Sequence, residues 1–144
     1  MELKQFEAAL ESYDKAISLK PNLADVYTNR AITLVELRQF KAALESYDKA
    51  ISLKSDYADA YYNRGNTLSE LNRLEEAIQS YEQAIAINAM HSRAYYNRGN
   101  ALLELKRTTQ AVSSYKKAVS IAPNYPEALN NLGQALRELK EYSS

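Results

Sequence analysis

The sequence predicts an all-α chain of stacked helix–turn–helix repeats, and three observations carry that prediction. The block Ala60-Tyr61-Tyr62-Asn63-Arg64-Gly65-Asn66 returns 34 residues later as Ala94-Tyr95-Tyr96-Asn97-Arg98-Gly99-Asn100. Altered copies, Val26 to Ile32 and Ala128 to Gln134, keep the same 34-residue step. A second block, Ala8 to Ile17, recurs in step as Ala42 to Ile51, Glu76 to Ile85 and Gln110 to Val119. Within the second block, apolar residues fall at three- and four-residue intervals, which is the helical period. A fixed period of this length marks a repeat array, in which each unit buries its apolar face only against its neighbours.

Residues 3 to 19 open the chain as a helix, because Phe6, Ala9, Leu10, Tyr13, Ala16 and Ile17 form one apolar stripe. Pro21-Asn22 ends it. Residues 1–23 are thus the second half of a repeat. Three complete repeats follow, 24–57, 58–91 and 92–125. Their helices are expected over 24–37 and 40–53, 58–71 and 74–87, and 92–105 and 108–121. Residues 126–144 hold the first helix of a further repeat, over 126–141, with Pro126 in a first-turn position where its missing N–H costs nothing. That makes eight helices in a single array over 1–144.

Small residues mark where these helices approach closely: Ala9, Ala43, Ala77 and Ala111; Ala16, Ala50, Ala84 and Ala118; and Ala31, Gly65, Gly99 and Gly133. Tyr13, Tyr47, Tyr81 and Tyr115, with Tyr27, Tyr61 and Tyr95, fill the space between and are expected in the core.

Composition narrows the function. With 46% hydrophobic and 25% charged residues, the chain has the makeup of a soluble domain. Zero formal net charge argues against a general nucleic-acid or anionic-membrane binder. There is no cysteine, no signal-peptide core and no apolar run of spanning length, so a cytoplasmic location is expected. No catalytic constellation stands out either. His91 is the one histidine and falls in an inter-repeat loop, no Gly-rich phosphate loop occurs, and no metal-ligand cluster is spaced for a metal. The expectation is a non-enzyme with no cofactor and no metal.

The spacing resembles the tetratricopeptide repeat family along essentially the whole chain. Tyr61, Gly65, Leu68, Ala77, Tyr81 and Ala84 fill the family's places, as do Tyr95, Gly99, Leu102, Ala111, Tyr115, Ala118 and Pro123. The turn between paired helices, often Gly in the family, holds Lys4, Arg38, Asn72, Lys106 and Lys140 here. Leu3, Leu37, Leu71, Leu105 and Leu139 precede it and are expected to plug the turn. The family's closing Pro is kept at Pro21 and Pro123, while Ser55 and Ala89 replace it, so the helix ends there are expected to be less sharply specified. Arg30, Arg64 and Arg98 replace a usual Leu at a place facing the helix interface, and a structural role is expected of them.

The resemblance implies a right-handed superhelix whose first helices line a concave groove for a protein or peptide partner. The groove columns it names are Asn29, Asn63, Asn97 and Asn131, then Asn66 and Asn100, with Tyr62 and Tyr96 at the edge and Glu70 and Glu104 in a carboxylate column with Glu36 and Glu138. A side-chain amide offers both a donor and an acceptor to a peptide backbone, and Asn is otherwise a poor helix-interior residue. The chaperone-tail clamp known in the family needs basic residues where Tyr62, Glu127 and Asn131 stand, so that partner is not expected. An alternative function is a scaffold that associates end to end as a homo-oligomer through Leu3, Phe6, Leu132 and Leu136, and another is an interaction segment of a longer multi-domain protein.

Overall fold

The computed structural model describes residues 2–143, with side chains from Glu2 to Glu141; Met1 and Ser144, the outer limits of the expected array, lie outside them. Eight helices and no strand occur among the described residues: α1 Leu3–Leu19, α2 Ala24–Glu36, α3 Phe40–Leu53, α4 Ala58–Glu70, α5 Leu74–Ile87, α6 Ser92–Glu104, α7 Thr108–Ile121 and α8 Pro126–Ser143. Packing is densest within the pairs α2/α3, α4/α5 and α6/α7, and each pair then packs on the next.

The turns inside the pairs are built without glycine. Arg38, Asn72 and Lys106 take φ values of 59°, 59° and 64°. The backbone bonds around them form a Schellman closure. Arg38 N–H donates to the Val35 carbonyl at 2.9 Å and Gln39 N–H to the Leu34 carbonyl at 2.8 Å, and the same pair of bonds recurs at Asn72/Arg73 and Lys106/Arg107. Left-handed backbone costs a non-glycine residue about 1–2 kcal/mol, which these two bonds offset. Lys4 and Lys140 depart from expectation: both lie inside helices, α1 and α8. The second helices end at Leu19, Leu53, Ile87 and Ile121, one repeat apart in each case. Replacing Pro by Ser55 and Ala89 therefore leaves the helix end in place, contrary to the expectation of a looser stop.

Tyr47, Tyr81 and Tyr115 form the buried spine, each no more than 2% exposed. Gly65 and Gly99 let them in. A Cβ added at Gly65 would lie 2.6 Å from the Tyr81 ring, and one at Gly99 would lie 2.7 Å from the Tyr115 ring. Tyr13, Tyr27, Tyr61 and Tyr95 are only half-buried.

The arginine column staples consecutive repeats. Arg30 donates from Nε to Asp14 of the preceding second helix at 2.7 Å and from Nη1 to Ser46 of the following one at 2.6 Å. Arg64 does the same with Asp48 and Ser80, at 2.7 and 2.6 Å. Arg98 keeps Ser114 at 2.5 Å but lies 3.8 Å from Glu82. Each fork satisfies a hydroxyl buried to within a few per cent, which leaves no buried side-chain polar atom unpaired among the described residues.

The terminal helices present what the interior ones bury. Leu136 is 43% exposed, while Leu34, Leu68 and Leu102 at the same register are at most 2% exposed. Leu3 is 61% exposed and plugs no turn, whereas Leu37, Leu71 and Leu105 are half-buried. Phe6 and Leu132 are half-buried, and Gly133 meets nothing that a Cβ would touch.

Candidate functional site

The first helices approach one another, α2 to α4 and α4 to α6, so they form the inner wall of the stack. The predicted groove columns fall on this wall, but the asparagines are not equivalent. Asn97 donates from Nδ2 to the Tyr62 hydroxyl at 3.1 Å and to Asn66 Oδ1 at 2.9 Å. Asn131 repeats this one repeat on, with Tyr96 at 3.1 Å and Asn100 at 3.0 Å. Asn66 Oδ1 also accepts from the Tyr81 hydroxyl at 2.7 Å, and Asn100 Oδ1 from the Tyr115 hydroxyl at 2.5 Å. The spine and the groove are therefore one hydrogen-bonded network. It fixes the amide orientations and leaves Asn97 Oδ1 and the NH₂ groups of Asn66 and Asn100 without a partner among the described residues.

Asn63 and Asn29 stand outside this network. Where Asn97 meets Tyr62 and Asn66, Asn63 faces the register positions of Thr28 and Ile32, which offer no phenol and no amide. Its side chain has no partner among the described residues. Asn29 is exposed.

Between α4 and α6 lies an open cleft of about 520 Å³, lined by Asn66, Ser69, Glu70, Asn97, Asn100 and Glu104 among others. Neither lysine nor arginine lines it. Glu70 and Glu104 are exposed and form no ion pair among the described residues, in contrast to Glu75, Glu76 and Glu82 on the outer helices.

Tyr62 and Tyr96 do more than edge the groove. His91 stacks on Tyr62 with ring centroids 4.6 Å apart, and Tyr125 stacks on Tyr96 at 5.0 Å. Burial pushes the Tyr115 and Tyr125 hydroxyls up to about 12, and it raises Tyr81 further still. All three stay neutral at any physiological pH, so Tyr81 and Tyr115 keep donating to Asn66 and Asn100.

His91 is not the free surface histidine that its loop position suggested. Its side chain is 11% exposed, its Nδ1 accepts from Ala94 N–H at 3.2 Å to cap α6, and its Nε2 lies 3.7 Å from Asp59. Burial lowers its pKa, Arg93 adds to that, and Asp59 opposes it. The sign follows: the folded chain prefers neutral imidazole, so this contribution is present above the ordinary pKa of about 6.5 and is lost as pH falls through it towards the lower folded value. His91→Tyr, which copies Tyr57 and Tyr125 at the same register, removes that loss. Urea unfolding of both chains at about pH 7.5 and about pH 5 checks it, with the wild type losing more stability on acidification than the variant.

Among the described residues no group of acidic, histidine or cysteine side chains is placed to hold a metal ion, and no helix is long and apolar enough to cross a membrane.

Comparison with known proteins agrees with this architecture. The family model for the TPR repeat matches residues 1–38, 33–72, 65–106 and 99–140. A search of curated protein sequences finds no match. Among solved structures, the MamA protein superposes with a TM-score of 0.87 at 27% identity, over 93% of this chain and 73% of that one. YrrB, described as a TPR protein with an unusual peptide-binding site, aligns at 31% identity and TM-score 0.80, over 88% of this chain and 66% of its own. The TPR domain of Arabidopsis OM64 aligns at 26% identity and TM-score 0.75, over 78% of this chain and 93% of its own. With four consecutive matches that leave almost no residue uncovered, the chain belongs to the tetratricopeptide repeat family.

Proposed function

We propose that the chain is a non-catalytic interaction module that binds an extended segment of a protein partner along the inner wall. The observation that carries this reading is the alternation of spare groups in the cleft between α4 and α6. Asn97 offers an acceptor, and Asn66 and Asn100 offer donors, all held in place by bonds to Tyr62, Tyr81 and Tyr115. An extended backbone presents N–H and C=O groups in alternation and satisfies such a wall without regard to its side chains. Preorganisation lowers the entropy cost of binding, because these amides do not have to be ordered by the ligand. Glu70 and Glu104 favour a segment carrying Lys or Arg and disfavour an acidic one or a nucleic acid. The description of YrrB, at 31% identity, supports peptide recognition on this frame.

The test is selection from a random peptide library on the wild-type chain and on an Asn63→Ala/Asn97→Ala variant. Peptides enriched by the wild type should bind the variant at least about tenfold more weakly, the loss of one or two backbone hydrogen bonds. Equal binding by a folded variant would exclude Asn63 and Asn97 as recognition groups.

A further inference from the structure

The inner wall changes character at its N-terminal end. Thr28, Ile32 and Val35 on α2 stand where α4 carries Tyr62, Asn66 and Ser69. Two consequences follow from that change. First, Asn63 is left with a whole amide to spare, donor and acceptor, because the two groups that occupy Asn97 have no counterpart. Second, the α2 side of the wall there becomes apolar and the wall hollow. A separate cleft of about 220 Å³ opens between α2 and α4, with Ile32, Val35 and Tyr47 as its apolar lining and Asn63, Asn66 and Thr67 on the α4 side. Ile32 is 41% exposed in it, although its register position in the next two repeats is a hydrogen-bonded asparagine.

The local packing shows why the hollow exists. Ala31 replaces the glycine that elsewhere admits the tyrosine ring, and no amide at position 32 anchors the hydroxyl. The Tyr47 ring is buried beside Ala31 without the first-helix amide that holds Tyr81 and Tyr115. The first repeat thus solves the same packing problem differently, and the solution leaves apolar surface open to the groove.

At about 220 Å³ the hollow is smaller than the roughly 300–1,000 Å³ of small-molecule sites, and suits one large side chain. Glu36 and Glu70 stand at its rim, both exposed and both without an ion-pair partner among the described residues. We propose that this hollow is the specificity pocket of the groove: it takes one bulky aliphatic or aromatic side chain of the bound peptide, Asn63 clamps the peptide bond beside it, and Glu36 and Glu70 select Lys or Arg at neighbouring positions. This rests on the groove reading above, and it adds an apolar anchor to that reading's preference for Lys or Arg, since backbone bonds alone carry no sequence preference. Burying an apolar side chain supplies affinity, and the rim carboxylates supply selectivity and faster encounter.

The test uses library selection on the wild-type chain and on an Ile32→Asn/Val35→Ser variant. That variant copies Asn66 and Ser69 of the next repeat; Ile32 is 41% exposed, and Val35 is half-buried against the Ala31, Leu34 and Tyr47 cluster, so circular dichroism first establishes that the variant is folded. Wild type should enrich peptides with a bulky apolar residue at one fixed place and Lys or Arg within a few residues of it. Changing that apolar residue to Ala should weaken binding to the wild type by about tenfold or more, and to the variant by less than about threefold. Peptides enriched without such a residue, or an equal loss in both chains, would overturn the pocket and leave the groove reading standing. No enrichment by folded wild type would overturn both.

Discussion

Tyr81→Ala should destabilise the chain by about 3–5 kcal/mol, the range for removing a large buried aromatic side chain. Tyr81 is 1% exposed and fills the space that Gly65 leaves. Its hydroxyl also donates to Asn66, so the substitution removes one partner from the groove network as well as a ring from the core. Because repeats are coupled only to their neighbours, a break at the centre separates the two halves of the array. Urea unfolding should show a lower midpoint and a broader transition. The Tyr81→Phe chain separates the two contributions. It keeps the ring and should lose only about 0.5–1.5 kcal/mol, since Asn66 still accepts from Asn97. A Tyr81→Ala chain as stable as wild type would contradict the buried spine.

The same substitution at two glycines of identical register should have opposite signs. Gly→Ala inside a helix is worth about 1 kcal/mol in favour of Ala when nothing obstructs the methyl group. At Gly133 nothing lies within 4 Å of the added Cβ, so Gly133→Ala should stabilise by up to that amount. At Gly65 the Cβ would sit 2.6 Å from Tyr81 Cε1, and the ring is held at its far end by Asn66 and Ser69. Overpacking of this kind costs about 1–3 kcal/mol, which outweighs the gain in helix propensity. Ala31 shows what relief requires, since the ring beside it, that of Tyr47, is not anchored to its own first helix. Gly65→Ala should therefore become less costly when combined with Asn66→Ile, which removes one of the hydroxyl's two anchors. Thermal unfolding of the single and double variants reads the coupling directly.

The helices were legible because three- and four-residue apolar spacing, repeated at a 34-residue period, over-determines them. Leu37, Leu71 and Leu105 were expected inside the first helices and prove to be their caps, a shift of one residue. What periodicity could not reveal is how side chains from different repeats combine. The partners of Arg30 and Arg64 lie 16 residues before and after each of them, on helices that spacing alone does not bring together. A signal was available: at the fourth position of the column Leu132 replaces Arg where Lys116 replaces the acidic residue, so both members of the pair change together. The asparagine column was legible as a column, but its division was not. That two of its amides are held by the preceding repeat, while Asn63 is not, follows from Thr28 and Ile32, whose effect appears only once α2 and α4 are packed. Ile32 and Val35 were missed as groove residues because an apolar residue in an amphipathic helix reads first as core.

The most direct test of the peptide-binding account is to follow the backbone amide resonances and the side-chain NH₂ resonances of the asparagines by NMR while a selected peptide is added. Binding along the inner wall predicts saturable shifts at Asn63, Asn66 and Asn100, with Asn130 and the outer-face residues Arg98 and Lys116 unmoved. Shifts centred on the outer cleft of Tyr95, Arg98 and Lys116, with the inner asparagines silent, would contradict it.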